Sequence, residues 1–197
     1  MTPIGIEELQ FLVLTDEHRS LLPTFKCKNN ELRGFLIENA LDSQRDKTAS
    51  TRLVIYNGRL VGYFTLVTDV IKKKEIVDGD GEPTFQYSNY PALKIARLAT
   101  HQDYENRHIG RSMLKKIYTI WIEFSHYIGC RIITVDAKPE AVGFYEKFAF
   151  HKALIGIRKL QKRDTVPLYI DIRKELEHLG YDHSLTEYEE TGRAERN

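Results

Sequence analysis

The sequence predicts an α/β domain built on a mixed sheet with helices on its faces. Three observations lead there. Two β-rich runs, Arg52–Tyr56 and Arg59–Val67, flank Asn57-Gly58. Asn-Gly between such runs specifies a tight hairpin, because both residues tolerate positive φ. From about Gly110 to Tyr127, apolar residues recur at helical spacing. Along the rest of the chain strand-like and helix-like runs alternate, which stacks helices on a sheet. A length of 197 residues suits one compact domain with a short extension.

The elements follow in order. Gln10–Thr15 is a short apolar run that suits a buried strand. Asn29 or Asn30 caps a helix that carries Leu32, Phe35, Leu36 and Ala40 on one face. The hairpin comes next. Lys72–Pro91 is polar and holds Gly79, Gly81, Pro83 and Pro91, which predicts a long loop. Ala92–Thr100 resumes a strand. The long helix then presents Met113, Leu114, Ile117, Trp121 and Phe124 as its apolar stripe, and Gly129 stops it. Arg131–Ala137 is a strand, and Pro139 opens a helix with Ala141, Phe144, Tyr145 and Phe148. Phe150–Ile157 and Pro167–Ile172 complete the sheet. The expected order is β-α-ββ-β-α-β-α-β-β. The domain is expected to span residues 1–172, with 173–197 as a charged C-terminal extension.

Composition narrows the function classes. Lys plus Arg total 29 and Asp plus Glu total 28, a net charge of +1. That balance neither demands nor excludes nucleic acid, since local patches decide. The two cysteines, Cys27 and Cys130, lack metal-ligand spacing, so neither a metal site nor a disulfide scaffold is expected. The N-terminus has no basic region followed by an apolar run, so no signal peptide is expected. No apolar stretch approaches the ~20 residues that cross a bilayer. A cytoplasmic protein without membrane contact is the expectation.

The chemistry-bearing segment is Arg107-His108-Ile109-Gly110-Arg111-Ser112. It lies between the strand Ala92–Thr100 and the long helix. Such a junction turns unbonded backbone N–H groups and the positive helix end toward one spot, where a phosphate binds. Gly110 permits close approach, and Arg107 and Arg111 add charge. Neither GxxxxGK[ST] nor GxGxxG is present. Taken by itself, the segment also reads as a helix that merely starts near a glycine.

With its neighbours, this segment resembles the GNAT family of acetyltransferases. The family pattern Q/R-x-x-G-x-G/A reads here as Arg107-x-x-Gly110-x-Ser112, with serine as a departure. The family's A-x-x-F-Y-x-x-x-G-F reads as Ala141 to Phe150, with Ala149 in the glycine position. Lys138 stands where many members have asparagine. The resemblance covers roughly Gln10 to Ile172. It implies a splayed central sheet with helices on both faces, in which the strand at Ala92–Thr100 parts from Arg131–Ala137. It also implies acetyl-CoA as co-substrate. Leu98, Ala99 and Thr100 would pair with its pantetheine arm, and Arg107, His108, Ile109, Gly110, Arg111, Ser112 and Lys138 would complete the cofactor site. A bulge near Leu98 would aim a backbone N–H at the thioester oxygen. Tyr145 would be the general acid for the departing thiolate. On spacing alone, Tyr145 reads as a core aromatic. No general base is evident among Glu146, His101, His108 and Asp103.

The segments Phe25 to Leu32, Ile95-Ala96-Arg97-Leu98-Ala99 and Val135-Asp136-Ala137-Lys138 resemble a GNAT subgroup. Its members include toxins of toxin–antitoxin pairs that acetylate the amino acid on charged tRNA. The resemblance therefore implies an aminoacyl-tRNA acceptor and a small antitoxin protein as candidate partners; a homodimer, for which the C-terminal extension could serve, is a further candidate. The same residues also fit structural roles, with Phe25 and Leu32 in the core and Arg97 in a salt bridge. Candidate RNA-facing cations are Lys72-Lys73-Lys74, Lys115-Lys116, and Arg158-Lys159 with Lys162-Arg163. Two other readings stay open: a small-molecule or protein amine as acceptor, and a non-catalytic acyl-CoA-binding regulatory module.

Overall fold

A computed structural model describes residues 2–156 and 160–178. Seven strands form one sheet in the order β1-β2-β3-β4-β5-β7-β6. They are β1 Gln10–Val13, β2 Ser50–Tyr56, β3 Arg59–Lys72, β4 Asn89–Thr100, β5 Ile132–Ala137, β6 His151–Lys152 and β7 Val166–Asp171. The β4–β5 pair is parallel and the other pairs are antiparallel. The hairpin forms as expected, with Tyr56 opposite Arg59 and positive φ at Asn57 (47°) and Gly58 (72°).

The helices are α1 Asn30–Gly34, α2 Ala40–Arg45, α3 Ile109–Ser125, α4 Val142–Glu146 and α5 Ile172–His178. Asn29 caps α1 by accepting the Leu32 N–H at 3.1 Å. A wider π turn, Phe35–Asn39, joins α1 to α2. The predicted α3 stripe is buried at Met113, Leu114, Ile117 and Trp121. It packs on Leu93, Ile95, Ile133 and Val135, with Val142 and Tyr145 of α4 in the same core. The other face packs Leu36, Ala40 and Leu41 against Leu53, Ile55 and Tyr63. Helices therefore cover both faces. No helix among the described residues is long and apolar enough to cross a membrane.

Three expectations change. The loop expected over Lys72–Pro91 is shorter, because β3 runs to Lys72 and β4 begins at Asn89, paired from Val67↔Lys94 to Lys72↔Asn89. One side of these rungs is solvated, so polar side chains there do not oppose strand formation. The loop between them is anchored: the buried Asp171 accepts from Gly81 N–H at 2.7 Å and from Arg131 Nε and Nη2. Of the strand expected over Phe150–Ile157, the described residues form only His151–Lys152, and Ile157 lies outside them. After Lys152, Leu154 N–H leaves the sheet to donate to the Glu75 carbonyl at 2.7 Å. The bulge expected near Leu98 sits at Ala96, because Thr65 pairs with Arg97 while the next residue, Leu66, pairs with Ile95. Toward the C-terminus, Ile172 is fully buried and Lys174 Nζ donates to Asp80 at 2.7 Å, so α5 packs on the sheet. Residues 179–197 of the expected extension lie outside the described residues.

Candidate active site

The parallel pairing of β4 with β5 ends at Ile95↔Val135. β4 continues five residues further, still paired to β3, up to Thr100↔Gly62. The bulge at Ala96 falls where the partner is lost, and the extra residue turns the strand there. This is the splay that the family resemblance implies. His101 N–H donates to the Val61 carbonyl at 2.8 Å. Backbone direction alternates along a strand, so Arg97 and Ala99 also turn their N–H groups to β3. The N–H groups of Leu98 and Thr100 then face the open side.

The start of α3 stands beside that edge. An ideal Cβ on Gly110 would lie 4.0 Å from Thr100 Oγ1, and one on Gly62 would meet Ile109 Cγ2 and the Ala99 carbonyl at 3.2 Å. Gly62 therefore lets β3, β4 and α3 approach closely. The turn before α3 is left-handed at Asn106 (φ 60°) and His108 (φ 65°). The first helical bond runs from Ser112 N–H to the His108 carbonyl at 3.0 Å. The amides of Ile109, Gly110 and Arg111 precede it and have no helical acceptor. Ile109 and Ser112 are buried, whereas His108 and Arg111 are exposed.

Arg107 does not add its charge to the turn. Its Nε donates to the Thr2 carbonyl at 3.1 Å, and its guanidinium lies 5.6 Å and 5.5 Å from the ring centroids of Tyr56 and Tyr104. Its carbonyl accepts from Ile4 N–H, so it fastens the N-terminal segment. Lys138, next to the end of β5, donates to Asp164 at 2.5 Å and lies 3.8 Å from Glu31 of α1. The partnership with Asp164 raises its pKa. Lys138 thus faces α1, on the opposite side of the sheet from α3.

Tyr145 is 5% exposed, between the rings of Phe144 (5.1 Å) and Phe150 (5.4 Å). Phe144 in turn presses on the start of α3, 3.2 Å from the Cβ position of Gly110. The end of β4, the first turn of α3 and the Phe144-Tyr145 pair therefore converge. Burial pushes the Tyr145 phenol well above its ordinary pKa, which keeps it protonated. Its hydroxyl takes no part in the hydrogen bonds of the described residues. Ala149, in the family's glycine position, has φ 60°, and the N–H groups of Ala149 and Phe150 close α4 onto Glu146 and Tyr145.

Of the four residues considered as bases, His101 and Glu146 are engaged elsewhere, Asp103 lies 3.9 Å from His101 Nδ1, and His108 is exposed at the start of α3. His101 is buried, accepts the Asp103 N–H on Nδ1 at 3.2 Å and sets Nε2 3.3 Å from the Thr24 carbonyl. Glu146 pairs with Lys152 at 3.2 Å. On the α1 side the structure adds a feature that the sequence left as a salt bridge: the Arg97 guanidinium stacks on Phe35 at 3.5 Å and has no carboxylate partner among the described residues.

A family model described as an acetyltransferase (GNAT) domain matches residues 49–152. The chain belongs to this family. The matched GNAT segment runs from β2 through β6 and contains the splay, the α3 turn and Tyr145. No curated protein matches the chain by sequence. Among solved structures, a bacterial toxin aligns with TM-score 0.76 at 18% identity, covering 92% of this chain and 98% of the other. AtaT complexed with acetyl-methionyl-tRNAfMet aligns with TM-score 0.76 at 20% identity, covering 88% and 99%. AtaTR bound with AcCoA aligns with TM-score 0.71 at 21% identity, covering 89% and 99%. At these identities the likeness establishes a shared GNAT fold.

Proposed function

We propose that this GNAT enzyme transfers the acetyl group of acetyl-CoA directly to the α-amino group of an aminoacyl-tRNA. The observation that carries the first half is the open edge of β4 after Ile95, set beside the unbonded amides that begin α3. In this reading, Leu98 and Thr100 pair with the pantetheine arm as an added strand would. The amides of residues 109–111 and the helix dipole hold the pyrophosphate, with Arg111 and Ser112 beside it. The N–H of Leu98 stabilises the thioester oxygen as negative charge builds on it.

The neutral amine attacks the carbonyl carbon, a C–N bond forms, and the C–S bond breaks. The proton lost by the nitrogen ends on the thiolate. Tyr145, held protonated by burial, donates a hydrogen bond or a proton to that sulfur. A phenol is a weaker acid than a thiol (pKa ~10 against ~8.5), so stabilisation by a hydrogen bond suffices. An α-amine with pKa ~8 needs less help to become neutral than lysine at ~10.4. With His101 and Glu146 engaged, the acceptor that needs least help, an α-amine, fits best.

Two points support tRNA as the carrier of that amine. AtaT, which shares the fold, is found with an acetylated aminoacyl-tRNA. On the acceptor side Arg97 offers a stacked guanidinium that has no carboxylate partner among the described residues, a fitting partner for a backbone phosphate. The other expected cations contribute less evenly. Lys73 donates to the Pro83 and Phe85 carbonyls, Arg163 pairs with Asp136, Lys115 is exposed, and Arg158-Lys159 lie outside the described residues. A small antitoxin partner and a homodimer go with this reading.

The test is transfer of labelled acetyl from acetyl-CoA to bulk charged tRNA, with uncharged tRNA as control. The expected result is label on charged tRNA alone. Label on small amines but on no charged tRNA would overturn the tRNA acceptor. Acetyl-CoA binding without thiol release on any amine would instead identify a non-catalytic acyl-CoA-binding module.

A further inference from the structure

On the face of the sheet away from α3, beside the point where β4 and β5 part, lies a cavity of about 290 Å³. Leu93 and Ile95 face α3, so the alternation of the strand turns Lys94 to the other side. Lys94 stands opposite Thr134, and Asp136 lies one residue past the last parallel rung. Lys94 Nζ donates to Asp136 Oδ2 at 2.7 Å and lies 3.7 Å from Asp69 Oδ2. Thr134 Oγ1 donates to Asp69 Oδ2 at 2.7 Å, and Arg163 Nη1 donates to Asp136 Oδ1 at 3.1 Å. Lys72 and Glu75 line the same cavity and add one charge of each sign.

The cations and carboxylates of this wall balance, so a charged guest gains no net attraction. The wall still has unused capacity. An ammonium has three donors, of which Lys94 uses one at short range. Asp69 Oδ1 accepts no hydrogen bond among the described residues, while its Oδ2 takes the Thr134 hydroxyl. One donor and one acceptor thus stand together on a wall that is only partly solvated, with Lys94 and Asp69 27% and 28% exposed. An apolar guest would strip water from both and return nothing. A carboxamide or hydroxyl both accepts and donates.

We infer that this cavity receives the side chain of the acceptor's amino acid and selects neutral polar ones, carboxamides and hydroxyls. The inference rests on the proposed aminoacyl acceptor, and it adds which class of amino acid is acetylated. The cofactor turn and Tyr145 occupy the α3 face, so an acceptor reaches the gap from the side on which Lys94 and Asp136 lie.

The experiment uses the full chain, labelled acetyl-CoA, and tRNA charged with single amino acids, alongside the matching free amino-acid amides. Asparagine, glutamine, serine and threonine should exceed leucine and isoleucine in kcat/KM by about tenfold. Lys94→Met should reduce that ratio about tenfold while acetyl-CoA affinity holds. Asp69→Leu provides the same test should Lys94→Met not fold, and thermal unfolding checks each variant. A wild-type preference for leucine or isoleucine, or no preference, overturns the inference, as does an unchanged ratio in a folded variant. Should the amides show the polar preference while no charged tRNA is labelled, the tRNA reading falls and the pocket assignment stands. Transfer to neither class overturns both.

Discussion

Tyr145→Phe separates chemistry from packing, because it removes one oxygen and keeps the ring between Phe144 and Phe150. The hydroxyl is in a residue only 5% exposed and takes no part in the hydrogen bonds of the described residues. The hydroxyl oxygen itself is not fully enclosed, so deleting it should change stability by no more than about 0.5 kcal/mol. At this chain length that corresponds to a change in Tm of no more than about 2 °C. Turnover should fall. Loss of a group that stabilises the departing thiolate should lower kcat by more than about tenfold, with acetyl-CoA affinity almost unchanged. Thiol release under steady-state conditions reads the first quantity, calorimetric titration the second and circular dichroism melting the third. Near-normal turnover would remove Tyr145 from the mechanism. A Tm lowered by several degrees would show instead that the hydroxyl is a structural hydrogen-bonding group.

Two further outcomes follow from buried polar groups. Burial pushes the phenols of Tyr63, Tyr118, Tyr145 and Tyr169 above the usual value. The unfolded chain then loses these protons first, so their contribution is complete below pH ~10 and declines as pH rises toward the folded-state values; a Tm that stays level through pH ~11 would contradict this. Asp171→Ala strands Arg131 and releases the Gly81 anchor, and should cost about 3 kcal/mol, seen as a Tm lower by about 10 °C. Acetyl-CoA affinity should persist, because Asp171 pairs with Ile132 at the opposite end of β5 from the splay.

The parts of the fold legible in the sequence are those with strong local signals. Asn57-Gly58 dictated the hairpin through its backbone freedom, and the Met113–Phe124 stripe dictated α3 through its period. Ala149 stands in the family's glycine position, and its φ of 60° shows why glycine is usual there. The outer ends of β3 and β4 were not legible, since residues 68–71 alternate between solvent and core, and Lys72 and residues 89–91 read as part of a polar loop. The bulge at Ala96 depends on which rung of β5 ends first, which is a tertiary property. Arg107 and Lys138 show the limit at the site: residue type located two cations near the motif, but the Thr2 carbonyl and Asp164 fix where their side chains go. Lys94 offered a signal that went unread, as a lone charge between the apolar Leu93 and Ile95. Arg97 was left between the subgroup resemblance and a salt bridge, because sequence cannot show Phe35 lying beneath it.

A crystal structure with coenzyme A bound tests the account most directly. The pantetheine should run along the free edge of β4 at Leu98–Thr100, in the gap that opens after Ile95↔Val135. The pyrophosphate should sit on the amides of Ile109, Gly110 and Arg111, with the sulfur within hydrogen-bonding reach of the Tyr145 hydroxyl. Coenzyme A bound away from the β4–β5 gap, or a sulfur out of reach of both Leu98 N–H and Tyr145, would contradict it.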